Sequence, residues 1–251
     1  MIYNALGGPV KIEQFVPHVT INAETGVVTY PPKSYFYQGL TVDPVPQSLL
    51  DEAYQRGYEA GVADAKPYSR ELEYIQSTGT QYIDVGFKPN QNTRIVLDID
   101  ITAQSNQSAM FGSRNGSASG AFCLWTYNNN NGYQDDFASS QRYPVGGTSS
   151  GRHTIDKNKN VLTVDGSVVN TSSSATFTCS YNVYLFSINS GGSPMTSYPC
   201  SAKLYSCKIY ENGTLVRDFI PVLNKNNTPC LYDKVTGNFY YNSGSGTFNY
   251  S

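Results

Sequence analysis

Charge, tryptophan and histidine are scarce in this sequence, and the low charge removes one class of function. Charged residues make up 14% of the 251-residue chain, and the formal net charge is -2. Proteins that bind nucleic acid usually carry a basic stripe, so we expect no nucleic-acid partner. No apolar run approaches the roughly 18 residues of a transmembrane helix, so we expect no membrane insertion. Residues 1–8 lack a basic region followed by an apolar run, so we expect no secretory signal.

Groups that could perform catalysis are also few. From Tyr74 to Ser251 the sequence holds one glutamate, Glu211, whereas glycoside hydrolysis needs two facing carboxyl groups. The histidines are His18 and His153, and no Gly-x-Ser-x-Gly turn presents a serine nucleophile. We therefore predict that the protein is not an enzyme and that His153 has a structural or surface role. A glycan hydrolase stays open as a rival.

The five cysteines form neither a metal-binding nor a disulfide pattern. An odd number without ligand spacing argues against a disulfide framework and against zinc. We expect free, mostly buried thiols in a protein made in a reducing cytoplasm, and no cofactor. Cys200 and Cys207 are seven residues apart, so on one straight strand they would point to opposite faces.

Residues 1–46 are interpreted as a small β segment, and residues 47–66 as one helix. The alternation at 18–22, the turn residues at 23–26 and the apolar run at 27–30 predict a hairpin. One hairpin buries little surface alone, so this segment should pack on copies of itself or on another protein.

Two neighbouring rows of side chains along the predicted helix differ in size. One row is bulky and the other is mostly small, and together they supply the expected oligomerisation residues Leu50, Ala53, Tyr54, Gly57, Tyr58, Gly61 and Val62. Small residues at every fourth position permit close approach of helices, which would offset the destabilising effect of two internal glycines. We predict a homo-oligomer, with a trimer as the leading expectation. The alternative is a helix that lies on the sandwich of its own chain.

Residues 69–251 are rich in Tyr, Asn, Ser, Thr and Gly and contain many short strand-like runs. Asn-Gly and Asp-Gly pairs, such as the one at 165–166, separate these runs. Such a pattern predicts an antiparallel sandwich or jelly roll. The alternation at 96–101 places Asp98 and Asp100 on a solvent-facing side. The predicted fold class is mainly β, an antiparallel jelly-roll sandwich preceded by the small β segment and one α-helix.

Four phrases of this region, in order, resemble a known family. They are Leu-Glu-Tyr-Ile-Gln-Ser-Thr-Gly at 72–79, Gly-Arg-His-Thr-Ile with Asp-Gly at 151–166, the strand pair at 206–222 and Leu-Tyr-Asp-Lys-Val-Thr-Gly at 231–237. The set is similar to the concanavalin A-like (laminin-G-like) jelly rolls of bacteriophage and prophage virion structural proteins. The resemblance implies a jelly roll, a place in the virion, and attachment to other virion proteins through the N-terminal segment. A purely structural decoration protein and a secreted bacterial adhesin are the alternatives.

One polar stretch with aromatic residues is the candidate ligand site. Sugar recognition combines an aromatic ring against C–H groups with hydrogen bonds to hydroxyls. The candidate residues are Trp125, Tyr127, Asn128, Tyr133, Asp135, Asp136 and Arg142. We expect residues 128–132 to form a surface connection, and the site to bind a host-surface glycan. Trp125 fits a core position equally well, and Asp135 with Asp136 fits either a calcium loop or a solvated loop.

Overall fold

The computed structural model describes residues 20–21, 28–29, 48, 51–56, 66–103, 105–116 and 119–251. The chain divides into two units, Met1–Ala65 and Lys66–Ser251. Across the described ranges, no helix has both the length and the apolar character needed to span a membrane.

The first unit contains a short strand pair and a helix. Strand β1 (Thr20–Ile21) pairs antiparallel with β2 (Val28–Thr29), as the predicted hairpin requires. Residues 51–56 are helical, and Ala53 and Tyr54 of this helix are exposed. The other predicted oligomerisation residues, Leu50, Gly57, Tyr58, Gly61 and Val62, lie outside the described residues. The segment boundaries at 1–46 and 47–66 stay predictions.

The described residues of the second unit form nineteen strands. Their bounds are β3 Arg70–Glu71, β4 Ile75–Thr78, β5 Ile83–Asp84, β6 Thr93–Ile101, β7 Gln107–Arg114, β8 Ala121–Tyr127, β9 Tyr133–Ala138, β10 Ser140–Val145, β11 Gly151–Asn158, β12 Val161–Val164, β13 Ser167–Thr171, β14 Tyr184–Leu185, β15 Asn189–Ser190, β16 Ser193–Pro194, β17 Ser201–Glu211, β18 Thr214–Leu223, β19 Pro229–Asp233, β20 Phe239–Tyr240 and β21 Asn249–Tyr250.

These strands form two sheets that pack face to face. The eight-stranded sheet runs β10-β9-β8-β7-β14-β5, with β15 paired to β7 and β16 paired to β15. The eleven-stranded sheet runs β13-β12-β11-β6-β17-β18-β19-β20, with β3, β4 and β21 off this path. One hydrophobic cluster combines Ile95 and Leu97 of the larger sheet with Phe122, Leu124 and Phe137 of the smaller sheet. The predicted fold class is confirmed: the protein is mainly β, with two antiparallel sheets in a sandwich and one short helix in the described residues.

Strand β6 shows the alternation that made the sheet predictable. Ile95, Leu97 and Ile99 are buried in the core, while Asp98 and Asp100 are half-exposed on the opposite side. Asp98 accepts two hydrogen bonds of 2.8 Å from Arg152 of the neighbouring strand β11. The two aspartates therefore occupy the solvent-facing side that the sequence predicts.

The Asp165-Gly166 pair forms the predicted tight turn between β12 and β13. The φ angles of 49° and 79° match a type I′ turn. Asp165 Oδ2 lies 2.7 Å from His153 Nδ1, and Asp165 Oδ1 accepts the Thr154 backbone N–H at 2.9 Å. The His153 contact, followed by the Thr154 bond, lowers the pKa of Asp165. His153 thus holds the turn against strand β11.

A bulge in β17 changes the face of the strand on which Cys207 lies, relative to the expectation for Cys200 and Cys207. The pairing of β17 with β6 shifts register between Leu204 and Ser206. One extra residue moves every later side chain to the other face of a strand. Cys200 and Cys207 consequently both lie in the core, so the straight-strand expectation is wrong. All five cysteines are buried and free, and burial raises the pKa of Cys200 to about 12.

Candidate functional site

The outer face of the eight-stranded sheet carries a second, smaller hydrophobic cluster. Strand β8 alternates, so that Phe122 and Leu124 face the core while Cys123 and Trp125 face outward. Trp125 is nonetheless only 2% exposed, because Tyr198 packs edge-on against its ring with 5.4 Å between the centroids. Trp125 therefore has a packing position, which is the alternative that the sequence left open.

A chain of hydrogen bonds crosses the same outer face. Gln107 Nε2 donates to Gln134 Oε1 at 2.7 Å, and Gln134 Nε2 donates to Asp136 Oδ1 at 2.9 Å. Trp125 Nε1 donates to Asp136 Oδ2 at 3.0 Å. Strands β7, β8 and β9 bring these side chains together, since Gln107 lies opposite Tyr127 and Gln134 lies opposite Trp125. These hydrogen bonds hold the Trp125 indole and the side-chain amides of Gln107 and Gln134 in place on the outer face of the sheet.

Asp136 is buried and both of its carboxylate oxygens accept hydrogen bonds. Burial raises the pKa of Asp136, and the bonds from Gln134 and Trp125 offset part of that effect. The carboxylate is therefore a buried acceptor within the sheet face and has no free path to a bound sugar.

Replacing Asp136 with asparagine is expected to remove part of the pH dependence of stability. Because the pKa is raised above its usual 3.8, the native protein holds this proton more tightly than the unfolded chain does. The stabilising contribution of this proton is present below the usual pKa and is lost as pH rises through the raised pKa. Asparagine does not ionise, and its side-chain oxygen still accepts a hydrogen bond from Trp125 Nε1. Denaturant unfolding at a series of pH values measures the free energy of unfolding of the wild type and of Asp136→Asn. Equal slopes of this free energy against pH in the two proteins would contradict the prediction.

Two tyrosines form an exposed aromatic pair at the edge of this face, and we call them the tyrosine pair. Tyr127 ends β8 and Tyr143 lies in β10, with ring centroids 4.9 Å apart and an angle of 44° between the planes. Tyr143 is 53% exposed and Tyr127 is half-buried. Gln141 lies opposite Asp136 in the β9–β10 register and is exposed on the same face. The pair therefore offers solvent-facing rings with an amide beside them.

The structure divides the candidate residues that the sequence singled out. Tyr127, Asn128 and Arg142 reach the surface, whereas Trp125, Tyr133, Asp135 and Asp136 are buried. Residues 128–132 form the expected connection, in which Asn128 and Asn129 are exposed and Asn130 is buried. The φ angles of these three residues are 52°, 56° and 60°.

Asp135 and Asp136 do not lie in the loop in which the sequence placed them. Both belong to strand β9, so their side chains point to opposite faces of the sheet. Asp135 faces the core and meets Lys157 and Asn170, while Asp136 faces outward. The two carboxylates therefore do not fit one calcium ion. Among the described residues, no group of three or more His, Cys, Asp or Glu side chains could hold a metal ion.

Sequence reasoning missed Tyr143, Gln107, Gln134 and Gln141. The polar residues at 128–132 and the aspartates at 135–136 indicated a loop, and these aspartates hid the alternation of Tyr133 and Phe137 toward the core. The alternation of Tyr133 and Phe137 was the sequence signal that could have identified β9 as a strand.

A second polar surface lies at one end of the eleven-stranded sheet. A cleft of about 440 Å³ is bordered by the hairpin ends at Asn158 and Asn212. Its wall includes Tyr210, whose ring centroid lies 5.2 Å from the Arg94 guanidinium. Arg94 donates to both oxygens of Asp156, at 2.9 and 2.7 Å. This cleft therefore also combines amide side chains with an aromatic ring.

No protein-family model matches the chain, and no curated protein matches it. A solved structure of similar fold is that of a proposed carbohydrate-binding protein from Bacteroides ovatus ATCC 8483, with 10% sequence identity and a TM-score of 0.51. The match covers 72% of this chain and 60% of that one, so the chain spans less than two thirds of its length.

Two sialidases also match, at lower TM-scores. The NanB sialidase of Streptococcus pneumoniae is 10% identical over 72% of this chain and 39% of its own, with a TM-score of 0.40. The Trypanosoma rangeli sialidase is 11% identical over 69% of this chain and 37% of its own, with a TM-score of 0.34. The bacteriophage part of the resemblance stays a prediction. The Bacteroides likeness shows the fold, a two-sheet antiparallel β-sandwich.

Proposed function

We propose that this chain is a non-catalytic bacteriophage virion protein whose sandwich binds a glycan on the host surface. The protein is made in the cytoplasm of the bacterial host and works in the virion. Glycan binding is supported by the exposed tyrosine pair and by a fold shared with a proposed carbohydrate-binding protein. The virion assignment is supported by the four sequence phrases at 72–79, 151–166, 206–222 and 231–237. Detection of the chain in purified phage particles tests that assignment, and its absence from them would overturn it.

The tyrosine pair is the observation that carries the glycan assignment. The C–H face of a sugar packs on an aromatic ring, and neighbouring amides exchange hydrogen bonds with its hydroxyls. Tyr143 is 53% exposed, and the exposed side chains of Gln141 and Asn128 belong to the adjoining strand and turn. Tyrosine also suits such a site because an ordered ring loses little conformational freedom on binding.

The positions of the carboxylates favour binding without hydrolysis. A glycosidase needs one carboxyl group as an acid and a second across the scissile bond. Asp136 behind the tyrosine pair is buried and accepts two hydrogen bonds. Glu211 belongs to the other sheet, where it accepts a bond from Asn90 at 2.8 Å. Release of reducing sugar from a bound glycan would overturn the non-catalytic assignment.

Replacing both Tyr127 and Tyr143 with alanine is expected to weaken glycan binding at least about tenfold. Each lost ring contact contributes on the order of 1 kcal/mol, and about 1.4 kcal/mol corresponds to a factor of ten. An array of host-surface glycans identifies the ligand, and titration calorimetry then measures both affinities. The matched control is Tyr250→Ala, because Tyr250 is also a surface tyrosine, 44% exposed, and lies outside the pair. Circular dichroism confirms that each variant folds.

Other outcomes of this experiment point elsewhere. Unchanged binding by the folded double variant, with weaker binding by Asn158→Ala, would move the ligand to the cleft beside Tyr210. A wild-type protein that binds no host-surface glycan would overturn the glycan proposal and favour a purely structural decoration protein.

The N-terminal segment is proposed to hold several copies together, with a trimer as the expected state, and to attach them to other virion proteins. Ala53 and Tyr54 are exposed on the helix at 51–56, and Tyr54 is 63% exposed. Gly57→Leu is expected to lower the oligomeric state, because a bulky side chain prevents close helix approach. Light scattering on the full chain measures this, with Gly116→Ala in the second unit as the control. A monomeric wild-type chain at micromolar concentration would contradict the proposal.

A further inference from the structure

The interior of the sandwich holds one lysine and one aspartate from opposite sheets in direct contact. Lys157 belongs to β11 of the eleven-stranded sheet, and Asp135 belongs to β9 of the eight-stranded sheet. Both side chains are 0% exposed, and Lys157 Nζ contacts Asp135 Oδ1. Two full charges are therefore buried between the sheets. Their loss of hydration is strongly unfavourable unless their attraction to each other and their hydrogen bonds compensate for it.

Two aromatic rings and one amide donor lie close to this contact. Lys157 Nζ lies 4.9 Å from the centroid of the Phe122 ring and 5.9 Å from that of Phe137. Asn170 Nδ2 donates to Asp135 Oδ2 at 2.8 Å. The amine thus faces one end of the carboxyl group, while the other oxygen is held by an amide N–H.

We propose that Lys157 and Asp135 become joined by an intramolecular isopeptide bond, with the loss of one water molecule. The ammonium first passes a proton to the carboxylate, giving a neutral amine and a neutral carboxylic acid. The amine lone pair attacks Asp135 Cγ and forms the Nζ–Cγ bond. A proton then moves from Nζ to the carboxyl hydroxyl, the Cγ–O bond breaks, and water leaves. One amide and one water replace the ion pair, and no other reactant is needed.

Four features of the site favour this reaction. The fold holds the amine and the carboxyl group together, so the step is effectively unimolecular. A neutral amide replaces two desolvated charges, which removes the unfavourable burial of both ions. The N–H of Asn170 donates to the oxygen on which negative charge develops during attack, in the manner of an oxyanion hole. The apolar side chains around the site keep out the water that would reverse the reaction.

The product would tie the two sheets together across their shared core. Lys157 pairs with Ile95 and Leu162 within its own sheet, and Asp135 pairs with Leu124 and Arg142 within the other. A covalent link between these strands prevents the sheets from separating even when the non-covalent core is disrupted. Such a link suits a module that is pulled while it is attached to a surface.

Intact mass spectrometry of the denatured full-length chain tests the proposal. The wild-type protein is expected to be lighter than its sequence mass by one water molecule. Lys157→Arg is expected to have its full sequence mass, because a guanidinium does not form this amide. Lys208→Arg, at an exposed lysine of β17, is the matched control and is expected to show the same loss of water as the wild type. Tryptic digestion is expected to yield a branched peptide that joins residues 115–142 to residues 153–159.

The decisive outcomes do not depend on any variant folding. A wild-type mass equal to the sequence mass would overturn the proposal. Loss of ammonia in place of water, together with a branched peptide that joins Lys157 to Asn170, would overturn the assignment of Asp135 as acceptor. A branched peptide that contains Asp135 and Lys157 would establish it. None of these measurements involves a glycan, so the result is independent of the proposed binding function.

Discussion

Replacing Asp135 with alanine is expected to lower the free energy of unfolding by about 3–5 kcal/mol. The variant leaves the ammonium of Lys157 0% exposed, near the rings of Phe122 and Phe137, without the carboxylate that contacts it. An unpaired buried charge is among the most destabilising changes a core can receive. Loss of the proposed amide adds to this effect. Urea denaturation followed by fluorescence measures the difference.

Two comparison variants show whether burial causes the loss. Asp98→Ala removes a carboxylate from the exposed pair with Arg152 and is expected to change stability by less than about 1 kcal/mol. Asp135→Leu with Lys157→Met removes both buried charges and is expected to be more stable than Asp135→Ala alone. Equal losses in Asp98→Ala and Asp135→Ala would show that burial of the charge is not the cause.

Replacing Gly112 with alanine is expected to lower the free energy of unfolding by at least about 3 kcal/mol. Gly112 has a φ of 136°, a conformation that residues with side chains rarely adopt. An added Cβ would lie 2.3 Å from the carbonyl oxygen of Phe122 and 2.5 Å from Cys123 Cα. Both are backbone atoms of the paired strand β8, so no side-chain rotation relieves the clash. The register shift between Ala109 and Phe111 lies just before this position.

Gly116→Ala is the matched control for Gly112→Ala. An added Cβ at Gly116 meets no atom within 4 Å, and Gly116 has no positive φ. We expect a change of less than about 0.5 kcal/mol, as for most surface substitutions. Thermal melts of both variants against the wild type measure the difference. A Gly112→Ala protein as stable as Gly116→Ala would contradict the close approach of β7 and β8.

Local patterns predicted the parts of this fold in which each strand follows a simple rule. Strand β6 alternates without interruption, so its buried Ile95, Leu97 and Ile99 could be identified from sequence. The Asp165-Gly166 turn could be identified because few residue pairs adopt two positive φ angles. Both signals depend on neighbouring residues alone.

The candidate site was harder to predict, because its residues meet only through pairing between strands. Tyr127 and Tyr143 are sixteen residues apart, and the β8–β9–β10 register brings their rings to 4.9 Å. Asp135 looked like a loop residue, since a buried carboxylate is uncommon, and it is accommodated only by Lys157 from the opposite sheet.

The sequence by itself determined the mainly β class, the turns and the scarcity of catalytic groups, because these follow from side-chain periodicity and composition. Only the tertiary structure decided which face the side chains of β9 and of the bulged strand β17 occupy. The bulge in β17 turned Cys207 into the core, and the pairing of β9 turned Asp135 inward and Asp136 outward. The physical reason is that a strand's face depends on register, and register is set by partners distant in the chain.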